Sequence, residues 1–306
     1  MSRLLAHITY FDASVTAGVD SRTSAVKTSA AWRDFNFNAV VRLLDEMECA
    51  YDSFAMIEAV VDVNEGHAYQ DRLRQWRASA CAAAAAPATS TSAARALAAA
   101  DGHASSPPSS SHGRVAVRVA AHTLAHPFRL AWAHREHMAA ELENFDWFLS
   151  VEGDTLVPGR AMSAQVALAP TLYTKHGLLL GFTRVVNDSA GNSFFSDIVR
   201  PAARTTILAL DGLGDFVTPT NTYAAVWAYP RNVMRAFVKS SDWKPELNTK
   251  TIRGMRERAA WGWRHGHIVT PVHGSALRIY HLGKSGPYHV KQRGHNSWPV
   301  DKLVER

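Results

Sequence analysis

Cysteine is scarce in this chain of 306 residues, with Cys49 and Cys81 the only two. Their spacing suits neither a metal site nor a disulfide framework, so free thiols in a reducing compartment are expected. Apolar runs of about 18 residues, the length a membrane-spanning helix needs, do not occur. The opening residues Met1 to His7 lack a signal-peptide pattern, because His7 breaks the apolar run and no cleavage site follows. These absences point to a cytoplasmic protein without a membrane span. Blocks of like charge are also missing. The net charge of +6 and pI near 9.4 favour anionic partners. The basic residues are scattered, so a phosphorylated small substrate fits, and nucleic acid is not the expected partner. Fifteen histidines are present, but none forms His-Glu-x-x-His and no cysteine pair completes a zinc site. There is no Gly-x-Ser-x-Gly elbow. Gly212-x-Gly214 lacks the strand–helix context of a dinucleotide loop.

What is present is an apolar fraction of 47%, arranged in alternating strand and helix patterns. Leu4 to Phe11 reads as a buried strand. Phe37 to Tyr51 reads as a helix from the spacing of Val40, Val41, Leu43, Leu44 and Met47. Phe54 to Asn64 is a second strand, and His67 to Ala80 a helix. Val115 to His122 is a third strand. Pro127 suits the first turn of a helix running to Glu143, with Leu130, His134, Met138 and Leu142 along one stripe. Three βα units in succession argue for an α/β fold. Its mostly parallel sheet carries helices on both faces, and ligands gather at the carboxyl ends of the strands. Residues 82–113 interrupt the pattern with Ala, Ser, Thr and Pro, a composition that buries too little to offset chain entropy. They read as a disordered, low-complexity insertion in one domain spanning 1–282, and 283–306 as an irregular basic tail. Later, Arg160 to Lys175 reads as a helix, Leu178 to Val186 as one strand, and Thr222 to Tyr229 as another. Pro230 opens a helix to Val238. Thr251 to Trp263 reads as a helix, and Ile268 to Val272 with Ala276 to His281 as a closing pair of strands.

The strand Phe145 to Val151 runs directly into Glu152-Gly153-Asp154. In extended backbone, acids at i and i+2 point the same way, and a glycine between them permits close approach. Carboxylates where a buried strand meets a loop call for a cation. Hard divalent ions take such oxygens together with water or phosphate. The triplet therefore reads as a metal and diphosphate site. The plain alternative is that the acids cap the next helix or face water. Thr9, Tyr10, Asp62 and Asn64 fall along the same edge. Trp243, Trp261 and Trp263 suit either sugar stacking or the commoner use in a core.

The run His126-Pro127-Phe128-Arg129-Leu130-Ala131-Trp132-Ala133-His134-Arg135, followed by Glu143-Asn144-Phe145-Asp146-Trp147-Phe148 and Glu152-Gly153-Asp154, resembles a nucleotide-sugar glycosyltransferase of the GT-A type. More narrowly it resembles a sparsely characterised glycosyltransferase-like family. The likeness continues through Leu180-Gly181-Phe182-Thr183-Arg184-Val185, Arg256-Glu257-Arg258-Ala259-Ala260-Trp261-Gly262 and Ile279-Tyr280-His281-Leu282. It implies a GT-A-like domain that transfers a sugar from a nucleoside-diphosphate donor to a hydroxyl of a glycan, lipid or protein. Thr9, Tyr10, Asp62 and Asn64 would meet the nucleotide, and Arg129 or His134 would approach the donor. Glu152, Asp154 and His281 would hold Mn2+ or Mg2+ on the diphosphate. Glu257 would be the general base, its charged form favoured by Arg256 and Arg258. The family triplet is usually Asp-x-Asp, and Glu152 departs from it. That departure supports a second reading, a carbohydrate- or nucleotide-binding protein of the same fold without activity.

Overall fold

The structure is a computed structural model describing residues 1–11, 30–77, 81, 113–124, 127–187, 193–195, 207–218, 222–244, 258–272 and 275–282. Glu257, residues 82–112 and the tail from 283 lie outside the described residues. In chain order the elements are β1 (Ser2–Tyr10), α1 (Ala30–Ala50), β2 (Phe54–Asn64), α2 (Gln70–Arg74), β3 (Val115–His122), α3 (His134–Ala140), β4 (Trp147–Glu152), β5 (Thr155–Leu156) and α4 (Gly159–His176). There follow β6 (Leu179–Leu180), β7 (Thr183–Asn187), β8 (Ser193–Phe195), β9 (Ile207–Leu210), β10 (Gly214–Val217), β11 (Val226–Pro230), α5 (Arg231–Val238), β12 (Ile268–Pro271) and β13 (Arg278–His281).

The central sheet has the order β11-β4-β1-β2-β3, parallel except for β11. β1 lies in the middle, and Leu4, Leu5, Ala6 and Ile8 are wholly buried. Apart from His7, its buried residues are apolar, as a strand covered on both faces requires. Side chains alternate between two cores. On one face Leu4, Ala6, Ile8 and Leu149 pack with Val40, Leu43 and Met47 of α1 and Met162 of α4. On the other, Leu5, Val60, Phe148 and Tyr229 pack with Met138 of α3 and Met234 and Phe237 of α5. The fold is thus α/β, with a mostly parallel sheet between two helical layers.

Two smaller sheets flank the carboxyl side, β6-β12-β10-β9 and β5-β13-β7-β8. They divide what the apolar pattern joins. The run Leu178 to Val186 breaks at Gly181 into β6, which pairs with β12, and β7, which pairs with β13 and β8. Gly181 donates its N–H to Val269 O at 2.9 Å, and a Cβ there would collide with Ile268. A glycine is what lets the chain cross from one sheet to the other. For the same reason β12 and β13 belong to different sheets and are not a closing pair. The helix expected from Pro127 opens instead as a 3-10 turn, Pro127–Trp132, before α3. Of the helix expected over His67 to Ala80, the described residues hold only α2.

Cys49 and Cys81 are joined in a disulfide, with Cα atoms 5.4 Å apart. This corrects the expectation of free thiols and removes the basis for inferring a reducing compartment. A lone pair separated by 32 residues carries no spacing signal; folding brings the end of α1 to residue 81. The adjacent Glu48 holds the other end of the same chain segment. Its carboxylate accepts from Arg114 N at 2.9 Å and Val115 N at 2.7 Å, where β3 begins. Neighbouring residues of one helix end therefore grip both Cys81 and Arg114. Among the described residues no helix is long and apolar enough to cross a membrane.

Candidate active site

The acid triplet lies at the carboxyl end of β4, as its sequence position implies. Thr9 pairs with Glu152 on one side and Asp62 on the other, so β1, β2 and β4 end on a common edge. Gly153 lies against β1: its N–H bonds to Thr9 O at 2.9 Å, and a Cβ would stand 2.9 Å from Val40. The close approach that glycine permits is therefore to the protein's own backbone and core.

Asp154 follows on the turn into β5. The antiparallel pairing of β5 with β13 sets His281 opposite Thr155, and Leu282 N donates to Asp154 O at 2.7 Å. His281 Nε2 consequently stands 3.1 Å from Asp154 Oδ2. β7 runs parallel beside β13 with Arg184 opposite Ile279, which puts Arg184 and His281 on the same side of this sheet. Arg184 reaches the other carboxylate oxygen at 3.5 Å. Its side chain is 5% exposed and that of Asp154 33%, so a buried cation stands behind an accessible acid. Glu152 Oε1 accepts from Tyr223 OH at 2.9 Å, and the Arg184 guanidinium lies 5.9 Å from the Tyr223 ring centre. Ala225, whose carbonyl accepts from Glu152 N, holds a left-handed φ of 57°. An alanine there costs about 1 kcal/mol or more, so the surrounding structure enforces this conformation.

A divalent ion fits part of this arrangement. Two cis ligands of an octahedral ion at about 2.1 Å lie about 3 Å apart, and Asp154 Oδ2 and His281 Nε2 have that separation. Among the described residues, however, no group of three or more His, Cys, Asp or Glu side chains is placed to hold a metal. Glu152 is directed to Tyr223 rather than completing the expected trio.

Asp62 has a different setting. It is 1% exposed, and both its oxygens accept from imidazoles, His7 Nδ1 at 2.6 Å and His122 Nε2 at 2.8 Å. Burial opposes its ionisation, but attraction to His7 and the hydrogen bonds from His122 and His7 hold the carboxyl well below the usual carboxylate range. The network continues from His7 Nε2 to His137 Nδ1 at 2.9 Å, and Arg118 donates to His137. Burial, then the charges of His7 and Arg118, push the His137 pKa down.

The remaining expected residues are scattered about this edge. Tyr10 turns to the opposite face from Thr9, buried beside His67 with ring centres 4.3 Å apart. Asn64 is buried, and its Oδ1 has no hydrogen-bond partner among the described residues. Arg129 is half-buried on the 3-10 turn. His134 is completely buried beneath the sheet, its ring 5.5 Å from that of Trp227. Desolvation, then repulsion from Arg135 and His7, hold its pKa well below the ordinary value. Arg135 is caged by Trp132, Phe237 and Trp243, and burial brings its pKa down to about 9. Trp243 and Trp263 both pack on Phe237, a core use. Glu257 lies outside the described residues.

Sequence reasoning passed over Arg184, Tyr223, His7, His122 and His137. Three signals were available: Arg184 is the one cation in the apolar run 178–186, and His7 and Asp62 each stand between apolar neighbours in a strand.

No protein-family model matches the sequence, and no curated protein does. Solved structures similar to this chain include a 4-diphosphocytidyl-2C-methyl-D-erythritol synthase, at 11% identity over 94% of this chain and 95% of that one, TM-score 0.37. Another is the UTP-bound UGPase from Acinetobacter baumannii, at 8% identity over 94% and 91%, TM-score 0.41. A third is S. aureus TarS 1-349, at 9% identity over 99% and 68%, TM-score 0.40. At these TM-scores the likenesses carry no argument, and the functional reading rests on residue geometry.

Proposed function

We propose that the protein is a glycosyltransferase of GT-A type, transferring a sugar from a nucleoside-diphosphate donor to a hydroxyl acceptor. The observation that carries this reading is Asp154 at the carboxyl edge of a parallel sheet, bonded to His281 and backed by the buried cation Arg184. A departing diphosphate develops negative charge, and a preorganised cation in a partly water-excluded site stabilises it without reorganisation. Arg184 supplies such a charge. Asp154 and His281 would hold Mn2+ or Mg2+, whose chemistry would be charge neutralisation of the leaving group. Tyr223 fixes Glu152, and Thr9 and Tyr10 at the end of β1 lie on the edge where the nucleotide would bind. Glu257 is the proposed base that takes the acceptor hydroxyl proton.

The test is a thermal-shift and hydrolysis panel of nucleotide sugars with and without manganese, on wild type and Asp154→Asn. The wild type is expected to gain stability from donor plus manganese, and the variant to lose that gain while its metal-free transition persists. Equal shifts in both proteins would remove Asp154 from the site, and no binding or hydrolysis of any donor would overturn the function. The hydrogen bond that commits Glu152 to Tyr223 favours a second reading, a donor-binding protein without turnover. Binding with no hydrolysis or transfer would select it.

A further inference from the structure

At the amino end of β3, away from the carboxyl edge, lies a cavity of about 390 Å³ lined by Glu48, Arg74, Trp76, Arg77, Gly113 and residues 115–117. Glu48 belongs to α1, and Arg74, Trp76 and Arg77 stand at the end of α2 and just beyond it. Both walls are pinned. Trp76 Nε1 donates to Asp45 Oδ1 of α1 at 3.3 Å, and its half-buried ring packs on the larger core. The Glu48 carboxylate is filled by the N–H groups of Arg114 and Val115, so its charge is answered within the wall. The two guanidiniums are not. Arg74 pairs with Asp71, which is 83% exposed, and such pairs are worth little in water. Arg77 meets no acid among the described residues; its Nη1 donates to the Trp76 carbonyl at 2.7 Å. The strand adds a donor of its own. β3 is the last strand of its sheet, and Ile57 N donates to Arg114 O, so Arg114 turns its carbonyl to β2. Alternation then turns the peptide groups of Val115 and Val117 to the open edge. Glu48 takes the Val115 N–H, which leaves that of Val117 facing the cavity. Sheet edges of this kind make concavities for anions.

We propose that this cavity is a second binding site, separate from the candidate active site, for a small phosphate monoester with a planar apolar body. The forks of Arg74 and Arg77 and the Val117 N–H hold the phosphate oxygens, and the Trp76 ring packs on the body. The volume is at the lower end of small-molecule sites and admits a single ring with its phosphate. Val117 and His122 are separated along β3 by about 17 Å, at about 3.3 Å per residue, so a ligand here leaves the carboxyl edge free. The site does not depend on the glycosyltransferase reading.

Calorimetric titration of the full chain with phenyl phosphate, inorganic phosphate and phenol tests this. Phenyl phosphate is expected to bind the wild type, inorganic phosphate to bind more weakly for want of the ring, and phenol not to bind. Arg77→Gln should weaken phenyl phosphate by about tenfold, the loss of one charge-assisted hydrogen bond, and Arg74→Gln with Arg77→Gln should abolish binding. Arg77→Lys, which keeps the charge but not the fork, should fall between wild type and Arg77→Gln. Both arginines are exposed, so the variants should unfold at the wild-type temperature. Failure of phenyl phosphate to bind the wild type overturns the site, as does wild-type affinity in the double variant. Binding that survives in the double variant and is lost in Arg184→Gln places the phosphate at the carboxyl edge instead; it overturns this site and leaves the proposed function standing.

Discussion

Two carboxylates on one sheet edge meet the same chemistry and come to different states. Asp62 and Asp154 each accept from an imidazole, and each has a second donor on its other oxygen. Asp62 is held inside the central sheet by short bonds of 2.6 and 2.8 Å and is 1% exposed. Asp154 is held across the flanking sheet by contacts of 3.1 and 3.5 Å and is 33% exposed. A carboxylate whose lone pairs are filled by buried donors is an anchor. One that is loosely held and open to water, with a buried cation behind it, can exchange those contacts for a ligand. Identity and position along a strand do not separate the two cases; exposure and bond length do.

The largest difference should appear in stability. Asp62→Ala strands the buried His7 imidazole and takes a partner from the part-exposed His122, and should cost about 3–5 kcal/mol, read from urea unfolding. Asp154→Ala should cost less, about 1–3 kcal/mol, since Asp154 is itself a third exposed although Arg184 behind it is buried. Similar losses at the two positions would break the comparison. Next in size, Arg184→Gln should lower donor turnover by about 100-fold through the missing charge at the leaving group, while the corresponding cation of the other cluster, Arg118→Gln, should leave turnover within about twofold. Single-turnover kinetics at saturating donor separate the outcomes, and a large loss from Arg118→Gln would contradict the assignment.

A smaller effect distinguishes the clusters by pH. His134 and His137 have folded pKa values below the ordinary 6.5, so the unfolded chain takes up protons that the fold resists. Stability should therefore fall as pH drops through about 6.5, by up to about 1.4 kcal/mol per unit per histidine. Asp62, depressed below its ordinary 3.8, is ionised in both states in that range; its contribution is present above about pH 4 and lost only at lower pH. Urea midpoints at pH 7 and pH 5 check this. In His134→Phe the fall should shrink, and an undiminished fall would exclude His134 as a source.

Much of the edge was legible from the chain. β2 and β3 begin and end where the sequence pattern places them; β2 is buried over most of its length, whereas β3 is an edge strand with only Val115 buried. The meeting of Asp154 with His281 accords with the resemblance that named both, although their roles as ligands belong to the proposal. The approach of Arg184 to Asp154 was not legible, since it depends on Gly181 dividing an apolar run between two sheets, nor was that of Tyr223 to Glu152, which follows from the antiparallel pairing of β11 with β4. The histidine network was hidden for a related reason. His7, His122 and His137 lie in three separate elements, and only the β1–β2–β3 register and the docking of α3 bring them to Asp62.

The grip of Glu48 and Cys49 on Arg114 and Cys81 gives the fold a doorway. Cys81 and Arg114 are both held at the end of α1, and the start of β3 is set there by the Glu48 carboxylate. The segment 82–112 then joins two ends that are already held together. Doubling a loop whose ends are held together adds only about 0.6 kcal/mol. Asp62, Asn64 and His122 stand at the other end of β2 and β3 from this clamp.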